Sequence, residues 1–164
     1  MQTFLPYASF TKSAQCLDNK RLGKQRVECL QILKAIRDVN YGWRNHPATK
    51  MWMDYPHALE MYMNACIDEW VARGFKNTMK KADAPSFAEL PNWIGNAELH
   101  ASHRSNLLRK DTSFYGQYKW KEDNSMPYYW CGYSKQDKLN YAHLIMKGEK
   151  WVFLNLWCGY VGLE

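Results

Sequence analysis

The chain has no apolar run approaching the roughly 20 residues needed to span a bilayer, so no membrane-spanning segment is expected. Its opening, Met-Gln-Thr-Phe-Leu-Pro, lacks the charged region and apolar stretch of an export signal. No Cys-x-x-Cys pair occurs, and the five cysteines (16, 29, 66, 131 and 158) are odd in number. That pattern argues against a disulfide framework or a structural zinc site, and it fits a reducing cytoplasm, the expected location. Acidic residues are also in short supply. There are 16 Asp and Glu against 22 Lys and Arg, giving a net charge of +6 and a pI of about 9.0. Repeats, low-complexity tracts and clear linkers are missing, so the 164 residues read as a single domain large enough for a real core.

Aromatic residues are plentiful: 8 Trp, 11 Tyr and 6 Phe, within a hydrophobic content of 46% that excludes disorder. The cations cluster, with Lys20, Arg21, Lys24 and Arg26 in one group and Arg104, Arg109 and Lys110 in another. Aromatic residues lie near both groups. A basic chain with this interleaving points to nucleic acid, phosphates held by cations and displaced bases by stacking faces. Solvated helix faces around an aromatic core are the alternative reading.

The architecture reads as mainly α: one compact helical domain, with residues 1–120 as its core and an irregular, aromatic-rich extension over 121–164. The first dozen residues form an extended arm. A helix then runs from Ser13 to about Asp38, ended by Asn40-Tyr41-Gly42. A turn at Arg44-Asn45-His46-Pro47 leads to a short helix over Ala48–Trp52. Asp54 caps a helix with Pro56 in its first turn, which stops at Gly74. Residues 77–96 are loop, Asn96 caps a helix over Ala97–Lys110, and 112–134 are irregular. Lys138–Met146 reads as helix and Lys150–Trp157 as a strand without an identified partner.

On the Ser13–Asp38 helix, Leu22, Cys29, Leu30, Leu33 and Ile36 make the buried stripe. Arg21 and Glu28 stand almost one above the other on another side, with Lys24 a turn from each. A carboxylate among cations suits chemistry on a polyanion, although Glu28 can equally be a plain i,i+4 partner of Lys24. Arg26 points toward the stripe, where it either snorkels at the edge or aims its planar fork at a phosphate. His46 is either a turn histidine or a contact for an extruded nucleotide. Arg104, Arg109 and Lys110 are phosphate contacts or solvated charges. Trp52 and Tyr115, with Tyr55 and Tyr118, are core or stacking faces. His100 and His103 have a metal-compatible spacing, but no second dense ligand pair accompanies them, so no metal is expected.

Several motifs in this order resemble the pyrimidine-dimer DNA glycosylases. Leu17-Asp18 followed by Glu28-Cys29-Leu30 looks like that family's catalytic helix. Asn45-His46, then Trp52 and Tyr55, then Arg73-Gly74-Phe75 resemble its middle part. His103-Arg104-Ser105-Asn106-Leu107-Leu108-Arg109-Lys110-Asp111 with Phe114-Tyr115 resembles its third helix and aromatic end. The likeness covers residues 1 to about 120 and is nearest an uncharacterised bacterial branch. It implies a small helical repair enzyme that excises a damaged base from double-stranded DNA and cuts at the abasic site, acting as a monomer without a cofactor. It also implies that the chain's own α-amine is the nucleophile, here that of Met1, with Glu28 beside it. An α-amine titrates near about 8, so part of it is neutral where a lysine is charged.

Three departures stand out. The bulky Gln2 implies that Met1 is retained, whereas the best-known members lose their initiator methionine. There is an insertion between the terminus and the glutamate. Val27 occupies the place of the family's arginine, leaving phosphate contacts to Arg21, Lys24 or Arg26. The alternatives are a non-catalytic DNA-binding protein on the same scaffold and a glycosylase for another modified base.

Overall fold

The computed structural model describes residues 1–131. It is mainly helical, with no strand among the described residues, as the sequence predicts. The predicted elements over Lys138–Met146 and Lys150–Trp157, and most of the 121–164 extension, lie outside the described residues. No helix of the described residues is long and apolar enough to cross a membrane. Cys16, Cys29 and Cys66 are buried free thiols, and burial pushes the latter two well up from their ordinary range.

The single helix expected over Ser13–Asp38 is two helices, α1 (Phe10–Cys16) and α2 (Asn19–Arg37). The break falls at Leu17-Asp18. Asp18 is extended (φ −65°, ψ 162°), and its carboxylate accepts the Arg21 N–H at 3.0 Å, which caps α2. Tyr115, far along the chain, fixes this cap: its hydroxyl donates to Asp18 Oδ2 at 2.5 Å and accepts the Asp18 N–H at 3.1 Å. Burial alone would raise the Asp18 carboxyl. The hydrogen bonds from Tyr115 and Arg21 outweigh it and hold the group below its ordinary range.

The next helices are α3 (Pro47–Trp52) and α4 (Pro56–Ala72). The residue preceding α4 is Tyr55, which offers no side-chain cap, so the capping role expected of Asp54 is not realised. Gly74 ends α4 with φ +82°, a left-handed conformation that glycine accepts without strain. The loop that follows is tied down by Asn64, whose side chain exchanges two 2.9 Å hydrogen bonds with the Ala82 backbone. α5 (Ala97–Lys110) starts where Asn96 accepts the N–H groups of Glu98 and Leu99. α6 (Thr112–Tyr115) and a 3₁₀ turn over Gly116–Tyr118 follow.

α2 lies along α4, with α1 packed on α4 and α3 on α2. Leu22, Cys29 and Leu33 of the predicted stripe are buried here with Leu59, Tyr62 and Ile67. α5 differs. Its inner face carries His100, Ser102, His103, Ser105 and Asn106, all buried. A helix can bury so many polar side chains only if hydrogen-bonding groups face it. What faces it is backbone from two places: Leu5 of the N-terminal arm meets His100 and His103, and Met126 and Tyr129 meet Ser102, Ser105 and Asn106.

Candidate active site

Residues 2–5 of the arm are buried, and polar side chains from three helices grip their backbone. On α2, Gln25 accepts the Phe4 N–H at 2.8 Å through Oε1 and donates to the Gln2 carbonyl at 2.9 Å through Nε2. On α5, His103 Nδ1 accepts the Leu5 N–H at 2.9 Å, and His100 Nδ1 donates to the Leu5 carbonyl at 2.6 Å. The Tyr62 hydroxyl of α4 donates to the Phe4 carbonyl at 2.5 Å. Trp52 Nε1 of α3 donates to the Thr3 hydroxyl at 2.9 Å. Each side chain satisfies a polar group that would otherwise be buried unpaired, so the arm is fixed in register up to its first residue. Burial lowers His103 to about 3, so it is neutral with its proton on Nε2. His100 and His103 thus serve the Leu5 backbone despite their metal-compatible spacing.

The arm delivers Met1, half-buried, into a groove of about 420 Å³. Met1, Gln2 and Phe4 line one part of it, Lys20, Arg21, Lys24 and Glu28 of α2 another, and Lys110 and Tyr128 the rest. Of the predicted residues, Met1, Glu28, Arg21, Lys24 and Lys110 therefore meet in one place. Glu28 is mostly shielded and has Lys24 Nζ 3.6 Å from Oε1. Arg21 is braced: it donates to Asp18 Oδ2 at 2.8 Å and to the Lys110 carbonyl at 3.0 Å. Lys110 is pushed below its ordinary range by burial and then by the charges of Arg21, Arg109 and Lys24. Cations crowded to that degree favour an incoming anion.

His46 caps α3 by accepting the Ala48 N–H at Nδ1, 3.1 Å away. Burial, and then the charge of the terminal ammonium, lower it to about 4. It is therefore a neutral imidazole near the amine at pH 7. Arg109 is held by the Asn106 side chain and lies 6.0 Å from the Tyr128 ring, at the groove's edge.

Four predicted contacts are placed elsewhere. Arg26 stacks 4.1 Å over Trp70 and donates to Asn77 Oδ1, so it faces away from the groove. Arg104 gives Nε and Nη2 to Glu122 and Nη1 to the Pro6 carbonyl, which leaves no free fork for a phosphate. Trp52 and Tyr115 are fully buried, one bonded to Thr3 and the other to Asp18, and neither offers a face to a base.

Sequence reasoning missed Gln25, Tyr62 and Tyr128, and it placed Lys20 in the basic cluster without singling it out. Gln25 left a signal, a carboxamide at helical spacing from Leu22 and Cys29 where an apolar residue would suit. Tyr62 and Tyr128 left none, because their roles depend on backbone brought in from far along the chain.

An α-amine and a carboxylate that line one groove with Lys20, Arg21, Lys24 and Lys110 are parts suited to imine chemistry on a phosphate-bearing sugar. The family model described as pyrimidine dimer DNA glycosylase matches residues 1–83, just over half of the 164-residue chain. No curated protein and no solved structure matches. The chain belongs to the pyrimidine dimer DNA glycosylase family, a family of DNA repair enzymes.

Proposed function

We propose that this chain is a bifunctional repair enzyme, excising a damaged pyrimidine from duplex DNA and then cutting the strand at the abasic site. The observation that carries this reading is that Met1 and Glu28 line one groove with Lys20, Arg21, Lys24 and Lys110. The cations hold the phosphates flanking an extruded nucleotide. The Met1 amine attacks C1′, the C1′–N bond breaks, and the sugar opens to an imine with the protein terminus. Glu28 stabilises the cationic iminium and takes the C2′ proton, so that the 3′ phosphate leaves by elimination. The imine is itself the electron sink, so the chemistry calls for no metal or cofactor. His46, neutral beside the amine, leaves the positive charge of the imine uncontested.

The test is a pair of duplexes, one carrying a pyrimidine dimer and one an abasic site. The wild-type protein should cut both, and Glu28→Gln should bind both with little loss yet cut neither. Salt-sensitive binding without cutting of either duplex would make the protein a non-catalytic DNA binder. Cutting of the abasic duplex alone would move the substrate to another modified base.

A further inference from the structure

Gln2 holds a donor, its side-chain Nε2, that no described residue pairs. It is 93% buried, at 7% exposure, and it lines the groove beside Met1. Its Oε1 accepts the Thr3 N–H at 2.9 Å, which fixes which end of the carboxamide is which. Its carbonyl is clamped by Gln25, so the root of the side chain cannot drift. Nε2, with two N–H donors, is buried and has no partner among the described residues. A buried donor left unpaired is costly, and it recovers that cost only when an acceptor arrives.

We infer that Gln2 Nε2 donates a hydrogen bond to O2 of the departing pyrimidine. This rests on the amine-and-carboxylate reading above. The residue that supplies the nucleophile is joined directly to Gln2, so a donor on Gln2 sits next to whatever occupies C1′. In a pyrimidine nucleotide the ring acceptor nearest C1′ is O2, because C2 is bonded to the same N1 that holds the sugar. As the amine's lone pair forms the N–C1′ bond, the C1′–N1 pair passes to N1 of the ring and is shared with O2 through the C2 carbonyl. The proton lost by the attacking amine ends on the released base. A preplaced N–H at O2 stabilises that charge as it develops and needs no reorganisation. An abasic sugar has no base, so the same donor has nothing to act on there.

The experiment compares single-turnover rates of base excision from dimer-containing duplex with rates of cleavage at a preformed abasic site. Gln2→Glu keeps the oxygen that Thr3 uses and removes the donor. Gln2→Met removes the donor without adding charge near the amine. Both keep a long side chain at position 2, and intact mass verifies that Met1 is retained. The ratio of excision to abasic cleavage should fall about tenfold or more in both variants, whatever happens to either rate alone. A ratio unchanged from wild type would mean that Gln2 acts only on the fold of the arm, and would overturn the inference while leaving the amine chemistry intact. Failure of the wild-type protein to cut either duplex would instead bring down the underlying reading, and this inference with it.

Discussion

Replacing Gln25 with leucine should separate the positioning of the amine from the stability of the fold. Leucine fills nearly the same space but can neither accept the Phe4 N–H nor donate to the Gln2 carbonyl. Both backbone groups lie in a buried segment, and a buried polar group left unpaired costs about 1–3 kcal/mol. The pair therefore costs about 2–6 kcal/mol if the arm stays in place, and less if the arm lifts out to find water. Typical domain stabilities are about 5–15 kcal/mol, so the fold should survive. Lifting the arm moves the nucleophile, and a displacement of about 1 Å can lower a rate about 10²-fold. Urea unfolding followed by tryptophan fluorescence gives the first quantity. Borohydride trapping on abasic duplex in a single turnover gives the second. We expect a folded protein with DNA affinity close to wild type and trapping slowed about 100-fold. Trapping at the wild-type rate in a destabilised Gln25→Leu protein would refute the role assigned to the arm.

Acid should weaken the fold through the same anchor. His103 titrates near 3 when folded and about 6.5 when unfolded, so on lowering the pH the unfolded chain takes up its proton first. Its contribution is intact above about pH 6.5, is lost steadily below that, and amounts to about 2 kcal/mol at pH 5. His46, lowered to about 4 but half-exposed, adds a smaller loss in the same direction; urea midpoints at pH 7.5 and 5 that coincide would contradict both. Lys24→Ala should weaken DNA binding and reduce the slope of log affinity against log salt by about 1, measured by anisotropy titration. Arg104→Gln should lower the unfolding midpoint and leave that salt slope unchanged, because its guanidinium is committed to Glu122 and Pro6.

What the sequence revealed was local. Asn96 as a cap and Gly74 as a stop depend on neighbours within a turn or two and stand as read; of the stripe on α2, Leu22, Cys29 and Leu33 are buried, Leu30 and Ile36 only partly, and Ile32 joins them. The break at Leu17-Asp18 was not legible, since Asp18 becomes a cap partly through a tyrosine 97 residues away. The same limit explains Arg104, whose partner Glu122 lies beyond the end of its own helix, and Trp52 and Tyr115, whose polar atoms answer the arm and the α2 cap. Met1, Arg21, Lys24, Glu28 and Lys110 line one groove, although the sequence placed Lys110 in a separate cation group, and the arm that brings Met1 there is held by buried polar side chains on α2, α4 and α5. The histidine pair on α5 had the right prominence and the wrong role: its spacing suits one face of a helix, and that face meets Leu5.

The most direct measurement is to trap the imine on abasic DNA with borohydride and locate the attached sugar by peptide mass spectrometry. The modification should fall on the α-nitrogen of Met1, and blocking that nitrogen by acetylation should abolish it. Attachment to Lys110, a groove lysine whose amine burial pushes down, or to any other lysine, would show that the terminus is not the nucleophile.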